Sequence, residues 1–255
     1  MNRRSEPTPV NLLTALRSHQ WFADCAEDMQ DALIAHSRLH HLEAEESLFE
    51  RGEECIGLCC VIAGAVRLGS VSPHDGRHRL TMYLEPYQWF GEIALADDKL
   101  LCQSAVADTA STVLVVPRLA LGAWLDKHPA AWRDIARLAS LRLRLVFMVV
   151  EDNASLSVEQ QLARRLLVAA TGYGQSSVGS VRRRLRLPQE YIARMLGVSR
   201  QTVNKALKVL ASEGILAVHY AEIEILDMRA LIQRAGPFED DIWQGMNAER
   251  FITPS

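Results

Sequence analysis

LPQEYIARMLGVSRQTVNKALKVL, residues 187–210, contains two short amphipathic segments that meet at Gly197. In the first, Ile192 and Leu196 supply a packing face, and the small Ala193 lets a second helix come close. A tight turn between helices needs a residue tolerant of positive φ, which glycine supplies without a Cβ penalty. Ser199 stands where a hydroxyl can cap the second helix. In that helix Val203, Ala206, Leu207 and Leu210 recur at i, i+3, i+4 and i+7, the spacing of one buried face. The opposite face carries Arg200, Gln201, Asn204, Lys205 and Lys208. These side chains suit the major groove of double-stranded DNA: arginine pairs with guanine, asparagine or glutamine with adenine, and lysine with guanine or phosphate. The first turn of such a helix reaches base edges, so Arg200 and Gln201 lead the set, with Lys205 one turn on. Gln189 and Ser199, at the two helix starts, complete it. Two helices around a glycine also make an ordinary αα-corner. Here a small packing residue, a turn glycine, a cap and a polar outer face agree, which predicts a DNA-binding helix-turn-helix.

Downstream, Ile215–Val218 and Ile223–Leu226 flank His219-Tyr220-Ala221-Glu222 and predict two short strands with a small turn, a wing. Upstream, Arg182, Arg183, Arg184 and Arg186 are placed to touch phosphates, contacts that give affinity but read no sequence. Net charge is −3 over 255 residues, but it is unevenly spread. Residues 161–235 hold 12 Lys and Arg against 5 Asp and Glu, whereas residues 1–160 hold 15 against 22. Only the C-terminal part is therefore suited to a polyanion.

Residues 130–156 contain neither Gly nor Pro. Within them Trp132, Ile135, Leu138, Ala139, Leu143, Val146, Val149, Val150 and Leu156 mark an apolar stripe longer than a compact lone helix needs. Such a stripe predicts burial on a second copy, the alternative being packing against the chain's own barrel. A further helix is expected over Val158–Thr171, ended by Gly172-Tyr173-Gly174 and a Ser/Gly-rich loop to Ser180. From Leu39 to Pro117 short apolar runs alternate with turn residues such as Arg51-Gly52-Glu53, Ala63-Gly64-Ala65 and Ser72-Pro73-His74-Asp75-Gly76. That texture predicts an antiparallel barrel or sandwich. Helical spacing marks Asn11–Ser37 and Leu119–Leu125 on either side of it.

With 49% hydrophobic and 23% charged residues, the composition is that of a folded globular chain and excludes wholesale disorder. No apolar run approaches the ~20 residues that span a bilayer, so no membrane partner is expected. Met1-Asn2-Arg3-Arg4-Ser5-Glu6 has no apolar segment behind its arginines, which argues against a secretory signal and for a cytoplasmic location. No Ser-His-Asp, Cys-His or paired-carboxylate pattern separates from scattered surface residues, so no catalytic site is expected.

In this order the parts resemble the Crp/Fnr family of bacterial regulators over residues 12–235. The matching stretches are SLFERGE (47–53), VIAGAV (61–66), FGEIAL (90–95) and VSRQTV (198–203). The resemblance implies an α+β fold. Its parts are leading helices with an antiparallel β-roll or barrel of cyclic-nucleotide-binding type over residues 1–128, a long dimerisation helix over 129–157, and a winged helix-turn-helix over 158–235. An acidic tail, 236–255, extends past the resemblance, and disorder is the default for it. The resemblance also implies a homodimer through residues 130–156, a palindromic operator with half-sites one helical turn apart, and contact with RNA polymerase where the protein activates.

In family members that bind cyclic AMP, a short helix after Phe-Gly-Glu cradles the phosphate with backbone N–H groups. The glutamate takes the ribose hydroxyl, an arginine before Ser-Ala neutralises the phosphate, and hydroxyl residues on the long helix meet the purine. The resemblance puts Gly91, Glu92, Ile93, Ala94, Gln103, Ser104, Val146 and Phe147 at these places. Gln103 lacks the charge and paired donors of the arginine, and neither Val146 nor Phe147 has a hydroxyl. The expectation is an altered pocket with weak or lost cyclic AMP recognition and an effector of unknown identity. An iron–sulfur sensor needs four spaced thiolates. Cys59 and Cys60 are adjacent on a strand and point to opposite faces, while Cys25, Cys55 and Cys102 are scattered, so all five are expected to be buried structural thiols. His36, His40 and His41 give only a weak haem signal, no metal-ligand spacing occurs, and no metal is expected. The alternative function is a small-molecule sensor or partner-binding module whose helix-turn-helix no longer reads DNA.

Overall fold

The computed structural model describes residues 9–17, 19–71, 74, 76, 78–172, 181–219, 222–239 and 242. Parts of the expected turn at 72–76, the loop at 173–180, the wing tip at 220–221 and most of the tail lie outside the described residues.

Three helices lead: α1 (Pro9–Arg17), α2 (Gln20–Ala23) and α3 (Glu27–Ala35). Of the apolar residues whose spacing predicted them, Leu12, Leu16, Trp21, Phe22, Met29 and Leu33 are buried. Eight strands follow: β1 (Arg38–Leu42), β2 (Ser47–Phe49), β3 (Gly57–Ala63), β4 (Val66–Val71), β5 (His78–Leu84), β6 (Trp89–Phe90), β7 (Ser104–Ala107) and β8 (Ser111–Pro117). A short helix, α4 (Glu92–Asp97), separates β6 from β7. The strands form two four-stranded sheets of order β1-β8-β3-β6 and β2-β7-β4-β5. Cys59 of β3 faces Val115 of β8 on one side and Phe90 of β6 on the other. The rings of Phe49 and Phe90, one from each sheet, meet at 6.1 Å.

Two glycines let the β-roll close. Gly57 has φ +141°, and a Cβ there would overlap the Val116 carbonyl oxygen. Gly91 has φ +96°, and its Cβ would lie 2.6 Å from the Gly57 carbonyl oxygen. Neither position tolerates a side chain without moving backbone.

After β8 come α5 (Arg118–Leu125), a 3-10 turn at Pro129–Ala131, α6 (Trp132–Ser155) and α7 (Val158–Thr171). Then follow β9 (Arg184–Leu185), α8 (Gln189–Leu196), α9 (Arg200–Ser212), β10 (Leu216–His219), β11 (Glu222–Ile225) and α10 (Met228–Ala235). Ser157 and Gln160 form a capping box that starts α7, and Gly172 at φ +64° ends it.

The described residues group into two compact units, 9–70 with 83–139 and 71–82 with 140–172 and 181–242, so that α6 contributes to both. In the first unit Ile135 and Leu138 are buried, and the Trp21 indole N–H donates to the Asp134 carbonyl at 2.9 Å. In the second unit Leu143, Val146, Phe147 and Val150 are 48–61% exposed, at i, i+3, i+4 and i+7.

Two expectations need correction. Cys102 is exposed, because it lies in the irregular connection between α4 and β7 rather than on a strand. The tail's first described residues are ordered against the second unit: Ile242 is buried and the Phe238 ring lies 4.2 Å under the Arg164 guanidinium.

Candidate nucleic-acid interface and effector pocket

Gly197 adopts the left-handed conformation at φ +66°, and its N–H donates to the Ala193 carbonyl. Ser199 caps α9, its Oγ accepting from the Thr202 N–H at 3.1 Å. Val203, Ala206, Leu207 and Leu210 are all at most 1% exposed. Arg200, Gln201, Asn204, Lys205 and Lys208 are exposed, so the structure collects the expected DNA-facing side chains on one face of α9. Ser199 spends its hydroxyl on the cap, and Gln189 is half-buried at the start of α8. The first turn of α9 carries no acidic residue, so its helix dipole and its cations attract phosphate together.

The wing is a three-stranded sheet of order β10-β11-β9. Most of the upstream arginines are bonded within the chain. Arg182 donates to the Ala169 carbonyl at 2.8 Å, Arg183 to the Leu226 carbonyl at 3.1 Å, and Arg184 pairs with Glu224 at 3.3 Å. Arg186 is exposed.

In the β-roll, Gly91 starts α4 in the left-handed region, Glu92 and Ala94 are buried, and Ile93 is 47% exposed. Gln103 and Ser104 are half-buried at the start of β7. The Ser104 hydroxyl donates to the Glu50 carboxylate at 2.6 Å and accepts the Arg51 N–H at 2.9 Å. Hydrogen bonds from Ser104, then Ser47, hold Glu50 below the usual carboxylate range. Val146 and Phe147 belong to the second unit, where both are about half exposed.

Burial pushes the thiols of Cys25, Cys55, Cys59 and Cys60 up, which keeps them protonated and unreactive. Among the described residues, no three His, Cys, Asp or Glu side chains group to hold a metal ion.

Three buried charged residues of α6, Asp134, Arg142 and Asp152, were missed in the sequence. Arg142 is 8% exposed, with Nη1 against the Met82 sulfur at 2.6 Å. Asp152 is 1% exposed, paired with Arg164 and Arg165 of α7. The available signal was positional: Arg142 follows Leu138 by four residues and Asp152 follows Met148 by four, so each falls on the buried face.

A β-roll followed by a long helix and a winged helix-turn-helix is the architecture of a DNA-binding transcription regulator. Residues 39–128 match the profile of the cyclic nucleotide-binding domain, and residues 160–234 that of the Crp-like helix-turn-helix domain. The CRP-like cAMP-activated global transcriptional regulator of Mycobacterium tuberculosis is 32% identical over 189 residues, 74% of this chain and 84% of the relative. The cAMP-activated global transcriptional regulator CRP of Haemophilus influenzae is 24% identical over 214 residues, 83% of this chain and 94% of the relative. Among solved structures, FixK2 from Bradyrhizobium japonicum superposes with a TM-score of 0.70 at 20% identity, covering 80% of this chain and 99% of FixK2. TTHB099 from Thermus thermophilus gives 0.58 at 27% identity, covering 78% and 97%. The chain belongs to the Crp/Fnr family of DNA-binding transcription regulators. No helix among the described residues is long and apolar enough to cross a membrane.

Proposed function

We propose that this regulator binds palindromic operators as a homodimer paired through residues 130–156, and that its sensor has lost cyclic AMP recognition. The observation that carries the DNA reading is the two-faced α9, with Val203, Ala206, Leu207 and Leu210 buried and Arg200, Gln201, Asn204, Lys205 and Lys208 exposed. Arg200 and Gln201 read bases, Lys205 and Lys208 add base or phosphate contacts, and Gln189 and Ser199 border the interface. The exposed stripe of Leu143, Val146, Phe147 and Val150 supports pairing with a second copy. A two-fold dimer then reads an inverted repeat. The organisation is a sensor over 1–128, a dimer helix over 129–157, a DNA-binding domain over 158–235 and a tail beyond. The protein acts in the cytoplasm and touches RNA polymerase where it activates.

For the effector, Gly91, the buried Glu92 and α4 retain part of a nucleotide cradle. The phosphate side does not fit. Gln103 brings no charge, and Ser104 is bonded to the Glu50 carboxylate, which repels an anion. An effector of another class shifts the regulator only by binding one arrangement better than the other. A second reading, retained cyclic AMP binding, is favoured by the M. tuberculosis relative, whose name calls it cAMP-activated, and by the cyclic nucleotide-binding domain profile.

Gel-shift titration on the protein's own upstream DNA, at fixed salt, with and without cyclic AMP, separates these readings. The expected result is specific binding indifferent to cyclic AMP, with no calorimetric binding at micromolar nucleotide. Binding that requires cyclic AMP establishes the second reading. Absence of specific binding in both conditions overturns the operator assignment.

A further inference from the structure

Arg164, on α7, is the meeting point of three segments. Its Nη1 pairs with Asp152 near the end of α6 at 2.7 Å. Its Nε donates to the Ala235 carbonyl at the end of α10 at 3.1 Å, and its Nη2 donates to the Pro237 carbonyl. The same guanidinium lies 4.2 Å over the Phe238 ring. Asp152, 1% exposed, also takes Arg165 at 3.1 Å. The Gln161 amide donates to the carbonyls of Asp152 and Leu156 at 3.3 and 3.0 Å. Phe238 and the buried Ile242 line a groove of about 310 Å3 together with Phe147, Met148 and Glu151.

Only Leu156 and Ser157 separate α6 from α7, and so short a link between helices can act as a hinge unless side chains restrain it. The helix-turn-helix profile ends at residue 234, so residues 236–239 lie outside it. We propose that residues 236–239 are a strap which, through Arg164, fixes the junction between α6 and α7, making Arg164 a positioning residue for operator binding. The inference rests on the DNA-binding reading above. Arginine suits the position because its planar fork serves a carboxylate and two carbonyls while stacking on a ring, which a lysine ammonium cannot do.

The test compares the full chain with a chain ending at Ala235, with Phe238→Ala and with Arg164→Lys. Truncation and Phe238→Ala leave the Asp152 pair in place, and circular dichroism of each variant checks that the fold is retained. Hydrogen exchange without DNA reads the junction directly, and fluorescence anisotropy on operator and on unrelated DNA reads its consequence. In all three variants exchange over residues 152–165 is expected to quicken by about tenfold while that of α9 stays constant. Operator affinity is expected to fall about tenfold, with binding to unrelated DNA unchanged. Unchanged exchange overturns the strap. Faster exchange with unchanged operator affinity overturns the positioning role. If even the full chain binds no operator, the DNA-binding reading fails, while the exchange comparison still judges the strap.

Discussion

Val146 sits within the exposed stripe that also contains Leu143, Phe147 and Val150, and Val146→Asp puts a carboxylate into it. Val146 is 48% exposed in the protomer. Burying a valine fully is worth about 2 kcal/mol, so covering the exposed half contributes about 1 kcal/mol per copy. The substitution removes this twice in a two-fold pair. It also forces two carboxylates toward one seam, at a desolvation cost of several kcal/mol per ion. The total exceeds about 5 kcal/mol, more than about 10³-fold in the dimer dissociation constant. Sedimentation velocity across the micromolar range should show a dimer for the unmodified protein and a monomer for Val146→Asp, with helical content preserved. Leu119→Asp is the control, since Leu119 is 83% exposed on α5 and outside the stripe. A Val146→Asp protein that stays dimeric at low micromolar concentration would refute the seam, as would an unmodified protein that is monomeric throughout.

Arg200→Ala should cost about 1–3 kcal/mol of base discrimination, read by anisotropy on operators with single base changes. An equal loss on every sequence would instead make Arg200 a phosphate contact. Gly57→Ala should lower stability by about 3 kcal/mol, because φ +141° and the Val116 carbonyl leave no room for a methyl group. A thermal midpoint equal to that of the unmodified protein contradicts this. Iodoacetamide should label exposed Cys102 in the native protein and leave Cys59 and Cys60 untouched until unfolding, as mass spectrometry of digests will show. The fold favours the protonated form of those two thiols, so their stabilising contribution is complete below the ordinary thiol pKa of 9.0 and declines as pH rises above it. Urea midpoints that do not fall on the alkaline side would count against it.

The most legible parts of this chain were those set by near neighbours. Gly197, Ser199 and the four-residue spacing of α9 needed only local rules, and each has the expected conformation. Strands β3, β4 and β8 were readable because turn glycines and prolines punctuate apolar runs. β1 and β6 were missed. Arg38-Leu39-His40-His41-Leu42 shows no alternation of apolar residues, and β6 has two residues, so both exist because β8 and β3 offer them ladders. α10 was missed as well, since its eight residues carry a helical stripe of only Met228, Leu231 and Ala235.

By itself, the sequence determined that one face of α9 is apolar and its opposite face polar and basic, because helical periodicity repeats every few residues and needs no distant partner. Tertiary structure alone decided how charged and polar side chains are spent. Arg184 holds Glu224 across the wing, Ser104 is tied to Glu50, and Arg164 gathers Asp152, Ala235 and Pro237. These partners stand 12 to 73 residues apart in the chain. A buried or half-buried polar group must find a hydrogen-bonding partner, but which one it finds depends on where folding brings the backbone, and that is not a local property.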